Sequence, residues 1–107
     1  MKGMPRRAAR LPALSSKESL ILELLVAAKE MYGLELVAAS TGALKRGTVY
    51  VTLGRMEDKG YVTSRLESAP PESGGLPRRL YRPTPLGRGV LGAWSAAAAR
   101  FRLRFAR

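Results

Sequence analysis

The run from Leu44 to Arg55 gathers side chains suited to phosphate oxygens and base edges: Arg46, Thr48, Tyr50, Thr52 and Arg55. Guanidinium, hydroxyl and phenol groups are common donors to both targets. Interleaved with them, Val49, Leu53 and Met56 recur at spacings of four and three, which stacks them on one side of a helix. Such a helix rests on an aliphatic underside and presents its polar side outward. A second cationic cluster, Arg78 and Arg79, opens the run Arg78-Arg79-Leu80-Tyr81-Arg82, which reads as a strand. Arg65 and Arg82 lie near it with weaker claims. The chemistry on offer is recognition of a polyanion rather than bond making.

The elements that must hold these groups can be read along the chain. Ser15 and Glu18 form a capping-box pattern. The helix they open carries Leu20, Ile21, Leu22, Leu24, Leu25 and Val26, a band too wide for one-sided packing, so it is expected at the centre of the domain or against a partner. A second helix is expected from Gly33, with Leu34, Val37 and Ala38 on one face and Leu36 alongside, ending at Ser40-Thr41-Gly42. The third runs from about Gly47 to Lys59, with Gly60 placed as a C-terminal cap. Two helices joined by a short turn result.

After Gly60 the period changes to that of a strand. Val62, Ser64 and Leu66 fall on one face, and Tyr61, Thr63 and Arg65 on the other. Ser68 to Pro77, rich in Pro and Gly, reads as a mobile tip. In the returning strand Leu80 is expected to face the core, with Arg79 and Tyr81 opposite. Thr84-Pro85 is a helix start, and the last helix carries Leu86, Val90, Leu91, Trp94, Ala98 and Phe101. The alternation from Arg100 to Phe105 also fits a strand, but the Ala run before it favours helix. The expected fold class is mainly α with a small β-wing: a winged helix-turn-helix over residues 15–83, a basic N-terminal arm over 1–14 and a C-terminal helix over 84–107.

Composition excludes several function classes. The chain has 107 residues, enough for one domain, with neither Cys nor His. Disulfides and thiolate metal sites are therefore impossible, and the commonest general base and transition-metal ligand is missing. Glu23 and Glu35 have no companions to hold a metal. No nucleophile–base pair or phosphate-cradling loop is present, so neither an enzyme nor a cofactor is expected. The formal net charge is +11, which draws polyanions: nucleic acid first, an anionic membrane surface second. There is no membrane-spanning run and no signal-peptide pattern, so a cytoplasmic location is expected.

Taken in order, these blocks resemble the PadR family of bacterial transcriptional regulators from about Ser19 to Trp94. The resemblance is carried by Leu20-Ile21-Leu22-Glu23-Leu24-Leu25, by Tyr32-Gly33-Leu34-Glu35-Leu36, by Gly47-Thr48-Val49-Tyr50 through Leu53, Met56-Glu57 and Lys59-Gly60, and by Arg78 to Thr84 with Gly87. Three positions depart from it. Arg46 stands where the family usually has Pro, Leu34 where it often has Tyr, and Pro83 where it has an aliphatic residue. The resemblance implies a homodimer that binds an inverted-repeat DNA operator, usually as a repressor, with the C-terminal helix forming the dimer interface.

Each candidate has a plainer alternative. The polar side of the third helix could be only a solvated face, and Arg55 could pair with Asp58 one turn on. A wing arginine could be idle. The N-terminal arm, with Lys2, Arg6, Arg7 and Arg10, could be a disordered tail or a DNA-contacting one. Along the last helix Leu91, Trp94, Ala98 and Phe101 could pack two copies together, or Trp94 and its symmetry mate could stack a small planar aromatic ligand. Three functions compete: a sequence-specific dimeric repressor relieved by such a ligand, a nonspecific architectural nucleoid-type DNA-binding protein, and a protein-interaction adaptor.

Overall fold

The structure is a computed structural model that describes residues 11–68, 74 and 77–105. Helix α1 (Ser16–Ala28) starts with the expected capping box. The Glu18 amide donates to Ser15 Oγ at 3.1 Å, and the Ser15 amide donates to Glu18 Oε1 at 2.9 Å. A turn with Lys29 at φ 79° leads into strand β1 (Met31–Tyr32), which the sequence reading did not anticipate. Two residues carry no periodic signal.

Helix α2 (Gly33–Ala39) and helix α3 (Arg46–Asp58) form the helix-turn-helix. The turn between them has Thr41 and Gly42 at positive φ, and Ser40 secures it by accepting from the Leu44 amide at 2.9 Å. On α2 the fully buried residue is Leu36, while Leu34 is exposed. Leu36 reaches the core because α3 packs against its side of this two-turn helix. On α3 the underside is as expected: Val49, Leu53 and Met56 are all buried. Gly60, at φ 82°, then redirects the chain.

Strands β2 (Val62–Glu67) and β3 (Arg78–Pro83) form the antiparallel wing, and β1 adds to the free edge of β3, giving the order β1-β3-β2. The register reverses one expectation. Tyr81 lies opposite Ser64, and Pro83 opposite Val62, so these residues share the face turned to the helices. Leu80 lies opposite Arg65 and Tyr32, on the outer face. It is nonetheless buried, because β3 is the central strand. Leu66 continues the inner face past the reach of the helices and is 61% exposed. The expected tip at Ser68 to Pro77 falls largely outside the described residues.

Helix α4 (Pro85–Phe105) is helical throughout its described length, which decides against the strand alternative. Thr84 caps it: Oγ1 accepts from the Gly87 amide at 3.0 Å and donates to the Gly60 carbonyl. The core joins α1, α2, α3, the wing base and Val90 of α4 around Ile21, Leu22, Leu25, Leu36, Leu53 and Met56. At ~1.5 Å per residue α4 is about 31 Å long. Beyond Val90 most of its described residues are exposed, and Leu103 is 84% exposed.

Candidate nucleic-acid interface

Three strips run along the outer side of helix α3, and the expected residues fall on the two flanking ones rather than on the outermost ridge. By helical periodicity Gly47, Val51, Gly54 and Asp58 lie opposite the buried stripe and form an outer ridge, all exposed. Thr48, Thr52 and Arg55 line the flank toward α1, and Arg46 and Tyr50 the flank toward the wing. Val51 was not singled out in the sequence because it is apolar. Its spacing of three from Thr48 and four from Arg55 is the signal that would have found it, and a β-branched side chain suits the thymine methyl. A Cβ at Gly47 or Gly54 would meet no atom of the chain within 4 Å, so nothing inside the molecule requires glycine there.

The hydroxyls differ in availability. Thr52 Oγ1 donates to the Thr48 carbonyl at 3.2 Å and is half-buried. Thr48 makes only a long 3.5 Å contact with the Lys45 carbonyl. Tyr50 is 47% exposed, and its ring lies against the backbone of Gly33, where any Cβ would collide with it. Arg46 and Arg55 are exposed, and the pairing of Arg55 with Asp58 is not formed.

Each flank of α3 borders a groove. On the α1 side a depression of about 710 Å³ is lined by Thr48, Val51, Thr52, Arg55, Lys17 and Lys59 among others. The ion pair Lys59–Glu18, 2.8 Å long, ties α3 to α1 beneath it. Burial pushes the Glu18 carboxyl up, but the Lys59 ammonium and the bonds from Ser15 outweigh it, and Glu18 titrates below its ordinary value. On the other side a groove of about 490 Å³ is lined by Leu34, Tyr50, Leu66, Arg78, Arg79 and Tyr32 among others.

The wing arginines are held differently. Arg79 donates to Ser64 Oγ at 3.0 Å, and Ser64 donates to Glu57 of α3 at 2.7 Å. Arg78 lies over the Tyr32 ring, 4.2 Å from its centroid. Arg65 bridges Glu30 and Glu67, and Tyr32 Oη donates to Glu67 Oε1. That bond raises the Tyr32 phenol and lowers the Glu67 carboxyl relative to their ordinary values. Sequence reasoning missed Tyr32 and Glu67, because their meeting depends on the unforeseen strand β1. Arg82 is exposed.

On α4, Leu91, Trp94, Ala98 and Phe101 fall at intervals of three and four along one stripe. Trp94 is 38% exposed, and its indole N–H donates to the Pro12 carbonyl at 2.8 Å. Tyr61 Oη donates to the neighbouring Ala13 carbonyl at 3.1 Å. The described end of the N-terminal segment is thus bonded to the body, and Trp94 is partly satisfied by its own chain. A cavity of about 370 Å³ beside Trp94 is lined by Ser19, Glu23, Ser95, Ala98 and Arg102.

The profile of the PadR-like family of transcriptional regulators matches residues 21–93. The chain belongs to this family. It is therefore a DNA-binding transcriptional regulator with a winged-helix fold, in a family of regulators and not of enzymes. Among solved structures it is similar to a protein of Thermoplasma acidophilum named as a transcriptional regulator, at 30% identity and TM-score 0.64, covering 78% of this chain and 82% of the other. It is also similar to a PadR family transcription regulator of Clostridium difficile, at 28% identity and TM-score 0.63, covering 81% and 94%. A PadR-like transcription factor of Bacteroides fragilis shares the fold at 22% identity and TM-score 0.71, covering 82% and 84%. No match was found among curated proteins. Among the described residues no helix is long and apolar enough to cross a membrane, and no cluster of acidic residues could hold a metal.

Proposed function

We propose that this PadR-family chain is a homodimeric repressor of an inverted-repeat operator. One observation carries the reading. The exposed side of α3 lies between two grooves, each lined by cationic side chains. A helix in a major groove has a phosphate backbone on either side, and that arrangement needs cations on both flanks. In this reading α3 enters the groove, Thr48, Tyr50, Arg46 and Arg55 contact one half-site with a lesser part for Thr52, and Arg78 and Arg79 reach the adjoining backbone from the wing.

The stripe Leu91, Trp94, Ala98 and Phe101 on α4 supplies the contact between copies, with residues 84–107 as the dimerisation unit. Exposed Leu103 and a helix without acidic residues support an interface that buries apolar surface at its centre. Two recognition helices then address major grooves about 34 Å apart. A planar aromatic molecule stacked between the two Trp94 rings relieves repression by altering the angle between subunits, provided it binds the two arrangements unequally. The same rings without a ligand serve as packing.

The test is selection of bound sites from random DNA, with stoichiometry measured on the winner. A pseudo-palindrome bound by two chains is the expected outcome. Equal binding of every sequence at moderate salt is the outcome of the second reading, a nonspecific architectural protein, which the net charge of +11 favours.

A further inference from the structure

Glu67 lies directly opposite Arg78 in the wing register. A carboxylate facing a guanidinium across two strands normally forms an ion pair. Here it does not. One Glu67 oxygen accepts from Tyr32 Oη, and the other accepts from Arg65 Nη2 at 3.1 Å. Arg65 is itself steadied by Glu30 at 3.2 Å. Arg78 instead sits over the Tyr32 ring, its guanidinium carbon 4.2 Å from the centroid. Among the described residues none of its guanidinium N–H groups has a hydrogen-bond acceptor. That distance suits stacking through the guanidinium face, which leaves the in-plane donors open, and these match a phosphate.

We propose that Tyr32 is a positioning residue for DNA recognition, which holds Arg78 by its ring and occupies Glu67 by its hydroxyl so that the wing guanidinium stays open to a DNA phosphate. The inference rests on the DNA-reading assignment of α3 and the wing. Tyr32 itself need not touch DNA. Its neighbour Gly33 seats the Tyr50 ring of α3, so one dipeptide sets both the wing arginine and the helix phenol that share a groove.

The experiment measures affinity and its salt dependence on a site selected from random DNA, using the full chain. Arg78→Ala should weaken binding and flatten the salt slope by about one, as expected for one lost phosphate contact. Tyr32→Phe keeps the ring but frees Glu67 to capture Arg78, and should weaken binding about two- to five-fold, the size of a surface ion pair. Tyr32→Phe with Glu67→Gln should restore binding, and in the Arg78→Ala background Tyr32→Phe should do nothing more. A role in folding alone would not give that rescue, and thermal unfolding of each variant checks it. The proposal is overturned if Tyr32→Phe binds like the parent while Arg78→Ala does not, or if Glu67→Gln fails to rescue. It also falls if Arg78→Ala is silent while Arg46→Ala and Thr48→Ala weaken binding, although the reading of α3 then stands. If none of these variants matters, the DNA-reading assignment fails as well.

Discussion

The two flanks of α3 face comparable grooves but are secured by different means. On the α1 side the scaffold is a buried Glu18 joined to Lys59 above a continuous apolar core. On the wing side it is a surface relay, Glu30 to Arg65 to Glu67 to Tyr32, with Arg78 stacked at its end. Desolvated contacts keep their strength in salt, whereas exposed ones are screened and weak one by one. The α1 flank is therefore a fixed reference against which the helix is set. The wing flank can be retuned by single substitutions without endangering the fold.

The largest effect that would test this contrast is Lys59→Met. It leaves the Glu18 carboxylate with only its bonds to Ser15 and should cost about 1–2 kcal/mol, a charged hydrogen bond discounted for the partial exposure of Lys59. Chemical denaturation would measure it, and a loss no greater than that of a wing variant would abolish the distinction. The pH dependence has a definite sign. Glu18 titrates lower in the folded chain than its ordinary value of 4.5, so its contribution is present above that value. It is lost as pH falls through the lower folded value. The acid limb of the stability curve should flatten in Glu18→Gln.

Next in size are the proposed DNA contacts. Arg55→Ala and Arg79→Ala remove one cation from each flank and should each reduce the salt slope by about one. A change on one flank alone would mean that a single backbone is gripped. Between the flanks, Gly54→Ala should raise stability by about 0.5–1 kcal/mol, since a mid-helix glycine is unfavourable and a methyl meets nothing in the chain. It should also weaken operator binding if the duplex approaches the ridge closely. Thermal unfolding and a binding titration on the same sample give both signs. The smallest expected effect is that of Glu30→Gln, a slight loss of stability at low salt that vanishes at high salt.

Much of this was readable from one-dimensional patterns. The Val49, Leu53 and Met56 underside, the Ser15–Glu18 box and the Thr84–Pro85 helix start all depend on neighbours three or four residues away, and spacing reports those directly. The misjudged positions depend on partners far along the chain. Tyr81 and Leu80 exchanged faces because the register with β2, and not alternation within β3, decides which side meets the helices. Tyr32 and Glu67 are 35 positions apart, and only the pairing of β1 with β3 brings them together. The polar side of α3 was legible as a whole, but its division into ridge and flanks depends on what packs alongside. The expected arm of residues 1–14 is described only from residue 11, where it is bonded to Trp94 and Tyr61.

That last contact has a practical consequence. The chain has one tryptophan, and its indole ties the segment at Pro12 to helix α4. Emission from this single fluorophore therefore reports on the contact with Pro12, and would respond without a label to the second copy or the flat guest proposed above. Quenching and spectral shift, followed against protein concentration and against added planar aromatics, would test each of those proposals.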